Sequence, residues 1–175
     1  RLKVMPSTRE VVFIIVTCIN LFNFIDRGII PGSTNEFNTF IRNSIHTQTP
    51  DVYLGLLQSS FVIGFLIGAL VFGHLVHHYE RFFLTRVGSW IWFIAVFFSG
   101  ISYYTESYAF LLICRMVSGL GEASLQCTIP PWIQENADAK KKGLWLAIFY
   151  TATPVGVALG YAYSSLITSN LNWSW

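Results

Sequence analysis

The sequence predicts an all-α integral membrane protein, and three observations support this prediction. Hydrophobic residues make up 53% of the 175 residues and charged residues only 11%, with a mean hydropathy of +0.52. Soluble domains carry about 25% charged residues. Five apolar segments each approach or exceed the roughly 20 residues that a membrane-spanning helix needs. Most of the charges fall between these segments. The composition does not indicate a nucleic-acid partner.

The five predicted spans follow one another along the chain with short connections, except after the first. The first is aliphatic and aromatic until its polar end, and the second is rich in glycine. The third is dense in Trp and Phe, the fourth contains isolated charges, and the fifth contains proline and glycine. Segment 31–51 is predicted to be a long loop. The predicted limits are Val11–Ile30, Val52–Val76, Phe83–Tyr104, Tyr108–Trp132 and Leu144–Ile167.

The distribution of Lys and Arg predicts the orientation in the membrane. Eight of the eleven basic residues lie before the first span, between the second and third or in the first turn of the third, or between the fourth and fifth. On the other side only Arg42 is basic, and two arginines lie inside spans. Lys and Arg accumulate in cytosolic loops. We therefore predict a multi-pass protein with a cytosolic N-terminus.

The fourth predicted span carries polar residues on a single helical face. Arg115, Gly119, Glu122 and Gln126 recur at steps of four, three and four residues, which places them on one side of a helix. A charge at the bilayer centre costs about 2.5–3.5 kcal/mol on insertion scales, so such residues face a pathway or a partner charge. A structural salt bridge between helices is the alternative interpretation. The bare backbone at Gly119 permits either close helix contact or room for a substrate.

The first predicted span carries a second polar face. Asn20, Asn23 and Arg27 share one side of the helix, and Asp26 flanks it. Counted from the same membrane boundary, Asp26 lies roughly 6 Å deep and Arg115 roughly 10 Å deep, so we predict that these two pair.

Glu122 is then expected near the middle of the membrane without an evident partner. Burial disfavours the charged form of a carboxyl group. An unpaired Glu122 would therefore exchange a proton near neutral pH, which is typical of proton-coupled carriers.

The fifth predicted span contains Pro154 and Gly156. Proline and glycine in a buried helix free backbone groups and allow a bend. These residues are predicted either to form a gating kink that lines a cavity or to form a packing notch for a neighbouring helix.

His74 and His78 stand at i and i+4 at the end of the second span, a spacing that metal sites also use. We interpret them as solvated loop histidines, because neighbouring acids or cysteines are lacking apart from Glu80. No metal site and no cofactor are predicted.

Four stretches resemble the N-terminal half of a major facilitator superfamily transporter, and within it the Spinster family. They are Asn23-Phe-Ile-Asp-Arg27, Arg115-Met-Val-Ser-Gly-Leu-Gly-Glu-Ala-Ser124, Leu146-Ala-Ile-Phe-Tyr150 with Pro154-Val-Gly156, and Trp173-Ser-Trp175. The resemblance extends from about residue 10 to the end. It implies that residues 1–175 are part of a longer protein built from two six-helix halves. A missing C-terminal half or a second copy would then complete the fold.

The loop between the second and third spans departs from the superfamily pattern. Gly73, Leu75 and Arg81 match, but His77 stands where the superfamily usually has an acid. In the family this loop helps to latch the cytosolic side of the transporter. The replacement implies an altered or pH-sensitive latch, for which Glu80 is a partial substitute.

The resemblance implies a secondary active transporter of lysolipid or sphingoid-type substrates, with proton coupling as a further expectation. Asp26 and Glu122 would take part in proton coupling, and Arg27 and Arg115 would be charge partners or head-group contacts. The membrane would be the plasma membrane or an endosomal or lysosomal membrane.

Three alternatives to a lipid carrier remain. The first is a carrier of another small organic solute, such as a drug, a sugar or an organic anion. The second is a degenerate scaffold that does not transport. The third is a membrane enzyme or channel, but no nucleophile and base occur at one depth, so an enzyme is not expected.

Overall fold

A computed structural model describes residues 8–168 of the chain, and this part is formed of helices joined by short turns. The stretch Trp173-Ser-Trp175 lies outside the described residues. The helices are α1 (Thr8–Gly32), α2 (Thr34–Ile45), α3 (Pro50–Leu75), α4 (Arg81–Thr105), α5 (Tyr108–Asn136) and α6 (Lys142–Thr168).

All of these helices except α2 are long and apolar enough to cross a membrane. The five predicted spans are therefore confirmed. Helices α1, α4 and α6 extend one to three residues beyond both predicted limits, α3 begins two residues early and ends one residue early, and α5 begins at its predicted first residue. The largest difference is at the end of α5, which continues through Pro130 and Pro131 to Asn136. The prediction ended at Trp132 because Gln134, Glu135 and Asn136, which follow shortly after it, are polar.

Helix α2 corrects the prediction that segment 31–51 is a loop. Its residues Phe37, Phe40 and Ile41 lie on one face, and all three are buried. Twelve residues are too short to span a bilayer, so a search for spans does not find this amphipathic helix. It covers one end of the bundle, called here the α2 end. The buried face of α2 packs in a cluster with Ile30, Leu54, Leu57, Tyr108 and Leu111.

The opposite end of the bundle, called here the basic end, carries the start of α1 and the turns 76–80 and 137–141. Its apolar core includes Phe13 of α1 and Trp145 of α6, whose rings stack with centroids 4.4 Å apart. Phe149 and Ile133 are fully buried in the same cluster. This core joins α1, α5 and α6 below the polar part of the bundle.

Helix α5 is the most buried of the five long helices, and glycines bring its neighbours against it. On the α3 side, Gly68 faces the backbone of Leu120, where an added Cβ atom would lie 2.6 Å from the carbonyl oxygen. On the α4 side, Gly88 and Gly121 face each other. Small residues let helix backbones approach closely in a membrane, where apolar burial does not drive association.

Helix α1 packs along α6, and the contact again depends on glycines. Gly28 of α1 lies against Gly160 of α6. A Cβ atom added at Gly28 would lie 2.9 Å from the Cα atom of Gly160. The bundle thus consists of α1 with α6 on one side and α3, α4 and α5 on the other. The side chains between α1 and α5 connect the two groups.

Candidate functional site

Polar side chains of α1 and α5 face each other inside the bundle, although both helices are otherwise apolar. Five of them are almost completely buried, with exposed fractions of 0% for Asn20, 3% for Asn23, 4% for Asp26, 5% for Arg115 and 1% for Glu122. Charges at such positions require a partner. We call this group the polar seam: Asn20, Asn23, Asp26, Arg27, Arg115, Glu122 and Gln126.

The first ion pair of the seam joins Asp26 to Arg115. The Nη1 atom of Arg115 lies 2.9 Å from Oδ2 of Asp26, and both side chains are at least nine-tenths buried. The pairing predicted from the depths of the two residues is confirmed. Helices α1 and α5 run in opposite directions, so the ends of the two spans that carry these residues meet at one level.

The second ion pair joins Arg27 to Glu122 and corrects the expectation that Glu122 has no partner. The Nη2 atom of Arg27 lies 2.8 Å from Oε1 of Glu122, and Nε donates to Oε2 at 3.2 Å. The Glu122 side chain is fully buried, whereas the Arg27 side chain is 32% exposed. Solvent therefore reaches this pair from the side of Arg27.

The two ion pairs are crossed. Asp26 and Arg27 are neighbours in α1, but their partners in α5 lie two helical turns apart. This is possible because the side chain of Asp26 is short and that of Arg27 is long. The four formal charges cancel. Adding a proton or an anion to these four largely buried residues would therefore give them a net charge.

Closer to the basic end, Asn20 links three helices. Its side-chain oxygen accepts a hydrogen bond from Nε2 of Gln126 at 2.7 Å, and its Nδ2 donates to the carbonyl oxygen of Phe149 at 3.0 Å. Asn23 is 3% exposed, and its side-chain oxygen has no hydrogen-bond partner within residues 8–168.

Aromatic rings surround Arg27, and sequence reasoning missed them. Its guanidinium carbon lies 4.8 Å from the ring centroid of Phe24, 4.7 Å from that of Phe61 and 5.2 Å from that of Phe65. Phenylalanine at i and i+4 in an apolar helix is ordinary, so the sequence contains no signal for this arrangement.

The glycines of the predicted site lie in helix contacts. An added Cβ atom at Gly119 would lie 3.0 Å from the backbone nitrogen of Phe65, so this position provides close contact with α3. At Gly156 it would lie 2.6 Å from Cβ of Phe24, which agrees with a packing notch. Pro154 lies on the exposed side of α6. A gating role for Pro154 and Gly156 stays a prediction.

The predicted latch loop lies at the basic end of α3 and α4. Arg81 forms a two-pronged ion pair with Glu135 at the end of α5, with distances of 2.5 Å and 2.7 Å. Sequence reasoning missed Glu135, because it follows the predicted end of the fourth span. His77 is exposed in the turn, and an added Cβ atom at Gly73 would meet nothing within 4 Å.

Replacement of Arg81 by alanine is expected to lower the free energy of unfolding by no more than about 1 kcal/mol, because the Arg81–Glu135 pair is exposed. Thermal unfolding in detergent would measure this, with Lys141→Ala, which breaks the exposed pair to Glu10, as the matched control. A loss several times larger than that of the control would show that Arg81 supports the fold through more than a surface ion pair.

His74 and His78 lie with ring centroids 5.1 Å apart. Among residues 8–168, no group of three or more metal-ligating side chains comes together.

Comparison with known proteins identifies a matching family and several similar proteins. The model of the Major Facilitator Superfamily matches residues 12–175. The chain is 35% identical to probable sphingolipid transporter spinster homolog 1 of Arabidopsis thaliana, over 93% of this chain and 35% of that protein. It is 34% identical to spinster homolog 1 of Xenopus laevis and 30% identical to that of Mus musculus, over 94% and 100% of this chain and 30% and 32% of those proteins. The chain thus spans about one third of the length of these relatives.

Proposed function

Because this chain belongs to the major facilitator superfamily, we propose that the protein is a secondary active transporter of single-chain amphipathic lipids of the lysolipid or sphingoid type. The similarity to a probable sphingolipid transporter supports this substrate class. The whole protein would include the second half of the fold, either as further chain or as a second copy.

The crossed ion pairs of the polar seam are the observation that supports proton coupling. A proton added to Glu122 would remove one of four balanced charges and release Arg27 from its ion pair. Arg27, the partly exposed member of the pair, would then carry an unneutralised positive charge and bind an anionic head group more tightly. Proton binding and substrate binding would therefore favour each other through Arg27.

The basic end is proposed to face the cytosol, since it carries most of the Lys and Arg residues. Glu122 then lies behind Arg27 in the membrane interior. The membrane of residence is proposed to be the plasma membrane or an endosomal or lysosomal membrane.

Uptake into proteoliposomes tests this proposal. The full-length protein is expected to take up a labelled lysolipid faster when a pH gradient is applied, because the gradient drives protonation of Glu122. In Glu122→Gln the stimulation by the gradient is expected to disappear, since the amide cannot exchange a proton. Glu36→Gln, which changes an exposed acid on α2, is the matched control and should retain the stimulation.

Each outcome is decisive. Stimulation that persists in Glu122→Gln would overturn the role of Glu122, although lipid transport would stand. If folded wild-type protein moves no lysolipid but takes up a sugar, drug or organic anion, the substrate proposal is wrong. If it transports none of these solutes, the scaffold has lost transport.

A further inference from the structure

The guanidinium group of Arg27 is enclosed on several sides by different helices. Phe24 comes from the preceding turn of α1, Phe61 and Phe65 come from one face of α3, and Glu122 comes from α5. All three ring centroids lie within the roughly 6 Å over which a ring attracts a cation. We call Phe24, Phe61 and Phe65 the aromatic cage.

The remaining hydrogen-bond donors of Arg27 can be identified from its contacts. Nε donates to Oε2 of Glu122 and Nη2 lies 2.8 Å from Oε1, so Glu122 occupies one edge of the guanidinium plane. Within residues 8–168, Nη1 has no hydrogen-bond partner. A guanidinium group presents five N–H donors in a fixed plane. The edge formed by Nη1 and the outer hydrogen of Nη2 is therefore left for another group.

That free edge matches a planar or tetrahedral oxyanion. Carboxylate and phosphate groups bind arginine through two parallel hydrogen bonds. An arginine side chain that moves freely must be ordered before it can form both hydrogen bonds. A guanidinium group held by rings and a carboxylate is already oriented for them. The cage thus supplies orientation, and the free edge supplies the hydrogen bonds.

The packing of α3 on α5 determines where the cage lies. Gly119 of α5 faces the backbone between Phe61 and Phe65, so α3 approaches closely at the level of Arg27. Both rings project from the same side of α3, because residues four apart lie on one face. The glycine on α5 therefore allows the two rings of α3 to reach a side chain of α1.

We infer that Phe24, Phe61 and Phe65 are positioning residues that hold Arg27 with its free edge directed at an oxyanion, the phosphate or carboxylate of the substrate head group. This inference rests on the proposed lipid transport and names the residues that would give it charge selectivity. Lipids of the same chain length without an anionic head group would not use the cage.

The inference can be tested by weakening the attraction between the rings and Arg27 in steps, with little change in the shape of the side chains. In the full-length protein, fluorinated phenylalanines at positions 61 and 65 withdraw electron density from the ring face and weaken its attraction for a cation. The KM for uptake of lysophosphatidic acid is expected to rise stepwise with fluorine content, by roughly three- to ten-fold in total, with kcat nearly unchanged. The same series at Phe97, an exposed ring of α4, is the matched control.

Conventional variants complete the test. Phe61→Leu and Phe65→Leu should raise the KM for lysophosphatidic acid, whereas Phe65→Tyr should keep it near the wild-type value. The KM for monoacylglycerol, which lacks the anion, should not change. Unaltered KM for lysophosphatidic acid across the fluorinated series in folded protein would overturn the inference.

A second measurement separates this inference from the proposed function. Stabilisation of the detergent-solubilised protein by lysophosphatidic acid, measured as a rise in Tm above that with monoacylglycerol, does not require transport. If wild-type protein shows this rise and the fluorinated variants lose it, the cage is supported even when no lysolipid is transported. If the rise is equal in wild-type and fluorinated protein, the inference is wrong although transport is observed.

Discussion

Replacement of Arg115 by alanine is expected to destabilise the bundle by about 3–5 kcal/mol, because it leaves Asp26 charged and almost completely buried without its partner. The free energy of unfolding in mixed detergent micelles would measure the loss. Arg86→Ala removes an exposed arginine from α4 and is the matched control, with an expected change within about 0.5 kcal/mol.

The double variant Asp26→Asn with Arg115→Gln separates the buried charge from the loss of contacts. It is expected to be more stable than Arg115→Ala, because removing both charges together leaves no uncompensated ion. If Arg115→Ala costs no more than Arg86→Ala, the Asp26–Arg115 pair does not hold α1 against α5.

Replacement of Gly121 by valine is the second change with a large expected effect. An added Cβ atom there would lie 2.7 Å from the carbonyl oxygen of Gly88 and 2.5 Å from the backbone nitrogen of Trp92. Neither atom can rotate away, because both belong to the backbone of α4. Overpacking of this kind typically costs about 1–3 kcal/mol, and we expect a value near the upper limit of about 3 kcal/mol.

Gly55→Val is the matched control for this variant. Gly55 lies in α3, and an added Cβ atom meets nothing within 4 Å, so the same substitution should change the free energy of unfolding by less than about 1 kcal/mol. Thermal unfolding monitored by circular dichroism would compare the two variants. Equal stability of Gly121→Val and Gly55→Val would contradict close packing of α4 against α5.

Much of the fold could be predicted from single residues and their spacing. Long apolar segments locate the membrane helices, because a helix in lipid must satisfy its own backbone groups over the whole bilayer. The intramembrane charges identify the two helices that form the polar seam. Helix α2 could not be found in this way, since Phe37, Phe40 and Ile41 alternate with polar residues in a segment of low overall hydropathy.

The candidate site was predictable only in part. The depths of Asp26 and Arg115 follow from counting residues, so their pairing could be expected. The partner of Glu122 could not, because counting places Arg27 next to Asp26, away from the depth of Glu122, and Arg27 reaches Glu122 only through the length of its side chain. Glu135 was missed for a related reason, since its role depends on the position of Arg81 on another helix.

The sequence by itself determined the class of protein, the five spans, the family and the charged residues within the membrane. Hydropathy, spacing and motif are local properties, and each of these conclusions needs only local information. The tertiary structure decided which charges pair, which rings enclose Arg27 and which glycines provide helix contacts. These depend on the rotation and register of helices far apart in sequence, which are set by packing over the whole bundle.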